Sequence, residues 1–349
     1  MSSLNTSIRA QQWMRRALYL ARLGEGSARP NPLVGCVIVC QGKIIGEGYH
    51  ERYGAPHAEV NAVNSVADKS LIRDSEVYVS LEPCSHYGKT PPCADLLIKH
   101  KASKVFVCNL DPNPLVAGRG VERLRQAGAS VETGLLEEGG RWINRRFFTQ
   151  MEKKRPYILM KWAQTEDGFI ARENYDSKWI SNWLSRKMVH RVRTREAGIL
   201  VGTNTALYDN PQLNARSWKG DNPTRLLLDL HERVPATHRL FDGSIPTVVY
   251  TYGESREKDG VAWRSVSEEA PLWPQILDDC QERELQSILV EGGSALLRSL
   301  IAEGLWDEAR VFTGKARFGN GIPAPHIRGK RIGQRQVLDN ALDIWIPAT

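Results

Sequence analysis

Apolar positions along the chain follow two rhythms. In IRAQQWMRRALYLARLG, near the N-terminus, Met14, Ala17, Leu18 and Ala21 recur at helical spacing with arginines between them, which predicts an amphipathic helix. Beyond it, short apolar runs bounded by turn formers alternate with further helix-period segments. LVGCVIVC, EVYVSLEP and KVFVCNL read as strands; HAEVNAVNSVA, CADLLIKHK and GRGVERLRQAG read as helices. That alternation predicts βαβ units around a mostly parallel sheet. After the basic stretch RWINRRFFTQMEKKR the pattern restarts with YILMKWA, then the helix ISNWLSRKMVHRVRTRE and the strands GILVG, TRLLLDL and TVVYTY. QSILVEGG reads as a strand turning into a helix, and EARVFT as a late strand. Two α/β blocks result, 1–147 and 148–349, with no internal repeat and no low-complexity segment.

Composition agrees with two domains. A chain of 349 residues, 41% hydrophobic and 25% charged, is long enough for two separate cores. No apolar run approaches the roughly 18 residues that span a bilayer, and the N-terminal helix is broken by Arg15, Arg16 and Arg22, unlike a signal peptide. A cytoplasmic location is therefore expected. The net charge of +7 admits nucleic acid as a partner, with Trp142, Phe147 and Phe148 as a stacking platform. It equally admits a solvated basic helix face, or a positive field that attracts small phosphorylated ligands. Charge alone does not choose.

The cysteines change the picture. Cys36, Cys40 and Cys108 sit in apolar strand-like runs and read as small core residues. Cys84 and Cys93 instead lie in EPCSHYGKTPPC, among Gly, Pro and Ser, and a reducing cytosol disfavours a disulfide between them. In PHAEV, His57 and Glu59 stand where a loop gives way to a helix, while Cys84 follows a strand at the next loop-to-helix entry. Two such entries aimed at one spot gather His57, Cys84 and Cys93 around a single ion. Three N/S ligands plus a water is the catalytic zinc arrangement, and that water has a pKa lowered to about 7. Glu59 would carry its proton to a leaving amine, as in the H-x-E…P-C signature of zinc deaminases, where the glutamate is not a ligand. The eight residues between the cysteines depart from the shorter P-C-x-x-C of nucleic-acid deaminases.

RPNPLVGCVIV, HAEV, LEPCSHYGKTPPC and DPNP, in this order, resemble the deaminase domain of the bifunctional riboflavin-biosynthesis enzymes. The resemblance implies a cytidine-deaminase-like three-layer α/β domain that deaminates a diaminohydroxy-phosphoribosylaminopyrimidine. It makes His57, Cys84 and Cys93 the zinc ligands and Glu59 the proton shuttle. Asn31 and His50 become pocket residues, His86 and Lys89 hold the phosphate end, and Asp111 and Asn113 contact the sugar hydroxyls.

In the second block no G-x-G-x-x-G follows a strand, which argues against a Rossmann site. Two strand-Gly-helix joints, GILVGTNTAL and SILVEGGSALL, could bind phosphate, although such joints are also common packing devices. LMKWAQTEDGFIA, DSKWIS, ILVGTNTALYDNPQLNAR and LVEGGSALL resemble the reductase domain of the same family, related in fold to dihydrofolate reductase. That implies NADPH contacts at Ala163, Trp179, Thr205, Asp209, Gly293 and Ser294. Substrate contacts fall at Lys161, Ser177, Arg193, Leu213, Arg216 and Glu291. The implied reaction is hydride transfer to C1′ of the ring-opened ribosylamine, with Asp209 either assisting proton transfer or positioning cofactor. TEDG and YDSKWIS stand where the family more often has SLDG and GDSKWIT, and the tail from about 321 matches no motif. The expected whole is a zinc- and NADPH-dependent enzyme acting on a small phosphorylated pyrimidine, independent of nucleic acid and membrane, and a homo-oligomer. The alternative is a chain in which only one of the two domains is active.

Overall fold

The computed structural model describes residues 3–87, 91–113 and 117–348. The chain divides into two compact units, Met1–Lys154 and Arg155–Thr349.

The first unit runs α1 (Ser3–Ala21), β1 (Gly35–Cys40), β2 (Lys43–Tyr49), α2 (Ala58–Ser65), β3 (Ser75–Leu81), α3 (Cys93–Lys99), β4 (Lys104–Asn109), α4 (Arg119–Gln126), β5 (Ser130–Thr133), α5 (Glu137–Ile143) and α6 (Arg145–Lys153). Its sheet has the order β2-β1-β3-β4-β5. β3, β4 and β5 are parallel, but β1 is antiparallel to both neighbours, so the sheet is mixed rather than mostly parallel. The hairpin partner β2 carries KIIGEGY, whose weak apolar content concealed it. Residues of β1 alternate between the two faces, yet all six are buried because helices cover both sides. Cys36 and Ile38 pack with α2, α3 and α4, whereas Val37 and Val39 pack with α1. Met14, Ala17, Leu18 and Ala21 are buried, as their spacing predicts. Gly35 permits the close approach of α1, since a Cβ there would sit 2.1 Å from the Ala17 carbonyl oxygen.

The basic connector belongs to this unit. It forms α5 and α6, and residues 147 and 148, the expected boundary, lie inside α6. Phe147 and Phe148 are buried against Leu81, leaving only Trp142 of the three aromatics exposed. The stacking platform is therefore absent; the aromatics anchor a helix whose Arg141 pairs with Glu152.

The second unit runs β6 (Tyr157–Gln164), β7 (Phe169–Ala171), α7 (Trp183–Arg193), β8 (Gly198–Gly202), α8 (Thr203–Asp209), β9 (Thr224–Leu228), β10 (Thr247–Thr251), β11 (Arg256–Lys258), β12 (Val261–Ser265), α9 (Leu272–Glu282), β13 (Ser287–Val290), α10 (Ser294–Ala302), β14 (Glu308–Thr313), β15 (Ile322–Pro323), β16 (Gly329–Val337) and β17 (Asn340–Pro347). The large sheet has the order β11-β12-β10-β9-β8-β13-β6-β14-β17-β16 and is parallel from β12 to β14. The tail completes it: β17 pairs antiparallel with β14, and β16 with β17. Strand β13 inserts between β6 and β8 after the chain has left both, creating a switch in strand order. In open α/β sheets ligands bind at such a switch, outside the carboxyl ends of the strands.

Candidate active sites

In the first unit two helix starts converge. His57 is the N-cap of α2, and Cys93 is the first residue of α3. His57 Nδ1 lies 3.3 Å from Cys93 Sγ and 3.6 Å from Cys84 Sγ, and all three ligand atoms fall within 4.8 Å of one another. A tetrahedral zinc with Zn–S of about 2.3 Å and Zn–N of about 2.0 Å sets N and S about 3.5 Å apart, so the donor set fits that ion. The Cys93 N–H donates to Cys84 Sγ at 3.3 Å. Hydrogen bonding from the Cys93 thiol, then from His57, brings the Cys84 pKa down to about 4, so Cys84 is poised as a thiolate ligand. Glu59, in the first turn of α2, is buried, and burial together with neighbouring Cys84 pushes its carboxyl up to about 7.

Of the expected pocket residues, His50, Asn31 and Asp111 lie near this cluster. His50 meets His57 edge to face at 5.6 Å between ring centres. Its Nδ1 lies 3.1 Å from the Pro56 carbonyl, which can only accept, so Nδ1 donates and Nε2 accepts from the Asn31 amide at 3.1 Å. Burial lowers the His50 pKa and keeps the ring neutral. Asp111 accepts from the Asn113 N–H at 2.8 Å, an Asx turn, and burial raises its carboxyl to about 6. His86 is exposed, and Lys89 lies outside the described residues.

In the second unit every residue expected for the reductase half lines one cavity of about 830 Å³ at the strand switch. Its charged floor is Glu291, which follows β13. Arg193 grips that carboxylate with both prongs, at 2.8 and 2.7 Å, and Lys161 of β6 lies 4.0 Å away. Burial alone would raise the Glu291 pKa, but Arg193 and Lys161 outweigh it and hold the carboxyl at about 2. Burial lowers the Lys161 pKa. Ser177 donates to Asp209 at 3.3 Å. Leu213 is buried in left-handed backbone (φ +50°), a strain of about 1–2 kcal/mol for a residue with a Cβ. Gly293 caps α10, and a Cβ on it would press to 3.2 Å from Thr205 Oγ1, so this joint keeps open room beside the helix N-terminus. Such a bare N-terminus fits a dinucleotide phosphate.

Known proteins share this arrangement. Residues 7–109 match the family described as the cytidine and deoxycytidylate deaminase zinc-binding region, and residues 156–331 match the RibD C-terminal domain. The riboflavin biosynthesis protein RibD of Aquifex aeolicus is 40% identical over 317 residues, covering 89% of this chain and 88% of its own. That of Actinobacillus pleuropneumoniae is 39% identical over 348 residues, covering 97% and 91%. A solved Thermotoga maritima structure, a diaminohydroxyphosphoribosylaminopyrimidine deaminase/5-amino-6-(5-phosphoribosylamino)uracil reductase, superposes with a TM-score of 0.91 at 35% identity, over 98% of this chain and 100% of its own. The chain belongs to the RibD family. It is a bifunctional enzyme of riboflavin biosynthesis, with a zinc-dependent deaminase and an NADPH-dependent reductase, and its substrate is a small phosphorylated pyrimidine.

Within this RibD chain several site residues escaped the sequence reading. Glu82, beside Cys84, is buried and accepts four backbone N–H groups, from Asp111, Gly118, Gly120 and Val121, at 2.9–3.2 Å. It ties the Asp111 turn and the start of α4 to the metal loop, and only glycine fits at 120, where a Cβ would meet the Pro83 carbonyl oxygen at 2.0 Å. His190 and Asn214 were also missed. The Asn214 carbonyl accepts from His190 Nδ1 at 3.0 Å and from Arg193 Nη1 at 2.9 Å, while its side-chain oxygen accepts from Arg216 Nη1 at 2.9 Å. Burial, then Arg193 and Arg216, bring the His190 pKa down to about 4. The tail contributes as well: Ile322 lines the cavity, and the Pro323 carbonyl accepts from Ser294 Oγ at 2.9 Å. No local pattern marks these contacts, because all but the Arg216–Asn214 pair join residues more than 20 positions apart in the chain.

Proposed function

We propose that the first unit removes the ring amine of a diaminohydroxy-phosphoribosylaminopyrimidine, and that the second reduces the ribosyl group of the product to ribityl. The observation that carries the reading is the pairing, in one chain, of a His57–Cys84–Cys93 cluster beside a buried carboxylate with a cavity at a strand switch. Bound zinc supplies Lewis acidity for activating water. Glu59 takes a proton from the attacking water at a carboxylate oxygen and gives it to the departing amine nitrogen, so water adds as the C–N bond breaks. Asn31 and His50 orient the pyrimidine, their own mutual hydrogen bond fixing both side chains. Asp111 and Asn113 take the sugar hydroxyls, with His86 and Lys89 at the phosphate.

NADPH supplies the hydride of the second reaction. The Gly293–Ser294 joint would hold its diphosphate, and Ala163, Trp179 and Thr205 would hold the rest of the cofactor. Asp209 would give the proton to nitrogen as C1′ of the open-chain imine is reduced. Lys161, Glu291 and Arg193 form a buried charged floor under the reacting sugar; Ser177 and Leu213 bound it. Arg193 already spends two prongs on Glu291, whereas Arg216 has no ion pair among the described residues, which supports Arg216 as the main phosphate ligand.

The protein works in the cytoplasm as a homo-oligomer, without nucleic acid or membrane. No helix among the described residues is long and apolar enough to cross a membrane, and β16, at one end of the sheet, offers an unpaired edge to another copy. Zinc content of the purified protein, with substrate-dependent NADPH oxidation, tests the reading. One zinc per chain and oxidation that requires prior deamination are expected; absence of both activities would overturn it.

A further inference from the structure

His190 is an anomaly in the reductase cavity. It is 7% exposed, lines the cavity, and donates through Nδ1 to the Asn214 carbonyl, which fixes the tautomer. Its Nε2 therefore carries a lone pair, and that atom has no hydrogen-bond partner among the described residues. In a residue that lines the cavity, this acceptor is free to take a hydrogen bond from a ligand that enters it. Two cations, Arg193 and Arg216, share the same Asn214 hub, so the ring is neutral and the group that pairs with Nε2 is a donor. A phosphate oxygen cannot fill that role, but a hydroxyl can.

The proposal rests on reading this cavity as the reductase site with the substrate phosphate at Arg216. The carbon next to the phosphate-bearing methylene of the ribosyl group is C4′. In the closed furanose its oxygen is a ring ether with no proton to give. On opening, the C1′–O4′ bond breaks, O4′ takes up a proton, and the amine nitrogen loses one as it forms the C1′=N bond. Only the open form can accept hydride at C1′, and only the open form has a donor at O4′. We propose that His190 Nε2 accepts a hydrogen bond from the O4′ hydroxyl of the open-chain sugar, selecting the reducible form of the substrate. His190 is thus a specificity-determining contact beside the phosphate.

The ribitylamino product keeps a free O4′ hydroxyl and serves as the probe. Calorimetric binding of this product and of its 4′-deoxy analogue to the full-length wild type, His190→Leu and His190→Gln forms a double-mutant cycle. A neutral hydrogen bond of ordinary strength predicts that His190→Leu weakens the natural product roughly 3- to 10-fold, with little effect on the 4′-deoxy analogue. His190→Gln, which retains an acceptor, should restore most of the affinity. Leucine also lowers turnover through KM more than kcat, because ground state and product share the contact. Equal losses on both ligands, or equal affinity of the wild type for both, would overturn the proposal even where wild-type reductase turnover is normal. A wild type that neither binds product nor oxidises NADPH would overturn the reading of the cavity itself. Unchanged zinc content and a Tm near wild type identify folded variants, and if leucine fails to fold, the wild-type comparison of the two ligands still decides.

Discussion

The two sites are built on opposite plans. The metal cluster takes its ligands from residues 57 to 93, two of them at helix starts, and each side chain is defined by its immediate motif. The reductase cavity draws on the ends of β6, β8 and β13, the helix α7, the loop after α8 and the tail, from Lys161 to Ile322. In the first, the donor atoms themselves are the chemistry. In the second, a buried ion network and one hub carbonyl set the groups in place, so residues that need not touch a ligand matter as much as those that do. Loss of a side chain should therefore be decisive and local in the first unit, and graded and partly structural in the second.

The strongest break of this contrast is in the metal site. Cys84→Ser or Cys93→Ser should abolish deamination and lower bound zinc. Glu59→Gln should cost about 10²- to 10⁴-fold in deamination with zinc retained. Reductase turnover of an already deaminated substrate should stay at the wild-type level in all three variants. Full zinc occupancy in both cysteine variants would sink the ligand assignment, and lost NADPH oxidation in a folded Glu59→Gln protein would end the idea of independent sites.

Next in size is Glu291→Gln, which leaves Arg193 and Lys161 facing a neutral amide. Removing one member of a buried ion group costs about 3–5 kcal/mol, so a lower unfolding transition is expected, with deamination and zinc content unchanged. The pKa of Glu291 is held at about 2, below its unfolded value, so its stabilising effect is present at neutral pH and is lost as pH falls from about 4.5 towards 2. Wild type and variant should differ most at neutral pH and converge in acid; a gap independent of pH would show that the carboxylate charge is not what stabilises the unit.

Arg216→Ala sharpens the contrast further. Losing a charge-assisted contact should lower kcat/KM for phosphorylated substrate by about 10- to 100-fold, with a smaller loss on the dephosphorylated analogue and NADPH affinity unchanged. Equal losses on both substrates would exclude phosphate recognition by this arginine. The smallest effect belongs to Trp142→Ala, an exposed position on α5. Both activities should remain within about 2-fold and Tm should barely move, as for most surface substitutions; a marked loss of either activity would give the basic connector a part in catalysis.

Legibility followed the same divide. His57, Glu59, Cys84 and Cys93 could be picked out because zinc chemistry demands particular residue types at two helix starts, and each start leaves its own mark in the chain. The buried face of α1 was readable from periodicity alone. Glu82 was not, since a glutamate beside a proline looks solvated until the backbone N–H groups of α4 are brought onto it. The motif marks Arg193 as a substrate contact, but not its pairing with Glu291, a residue 98 positions away. The tail lacked a motif because an edge hairpin joins the sheet through backbone hydrogen bonds, β17 to β14 and β16 to β17, which constrain side-chain identity weakly.

Sequence by itself determined the two α/β blocks, the metal-binding residue types and the family, since these depend on periodicity and on short-range chemistry that each motif carries whole. The tertiary structure decided which faces of the strands are covered, where α6 ends the first unit, and that one carbonyl orders His190 and Arg193. Those outcomes depend on long-range burial and hydrogen bonding. A polar side chain leaves water only when a distant partner replaces the bonds it loses, and no local stretch of chain specifies that partner.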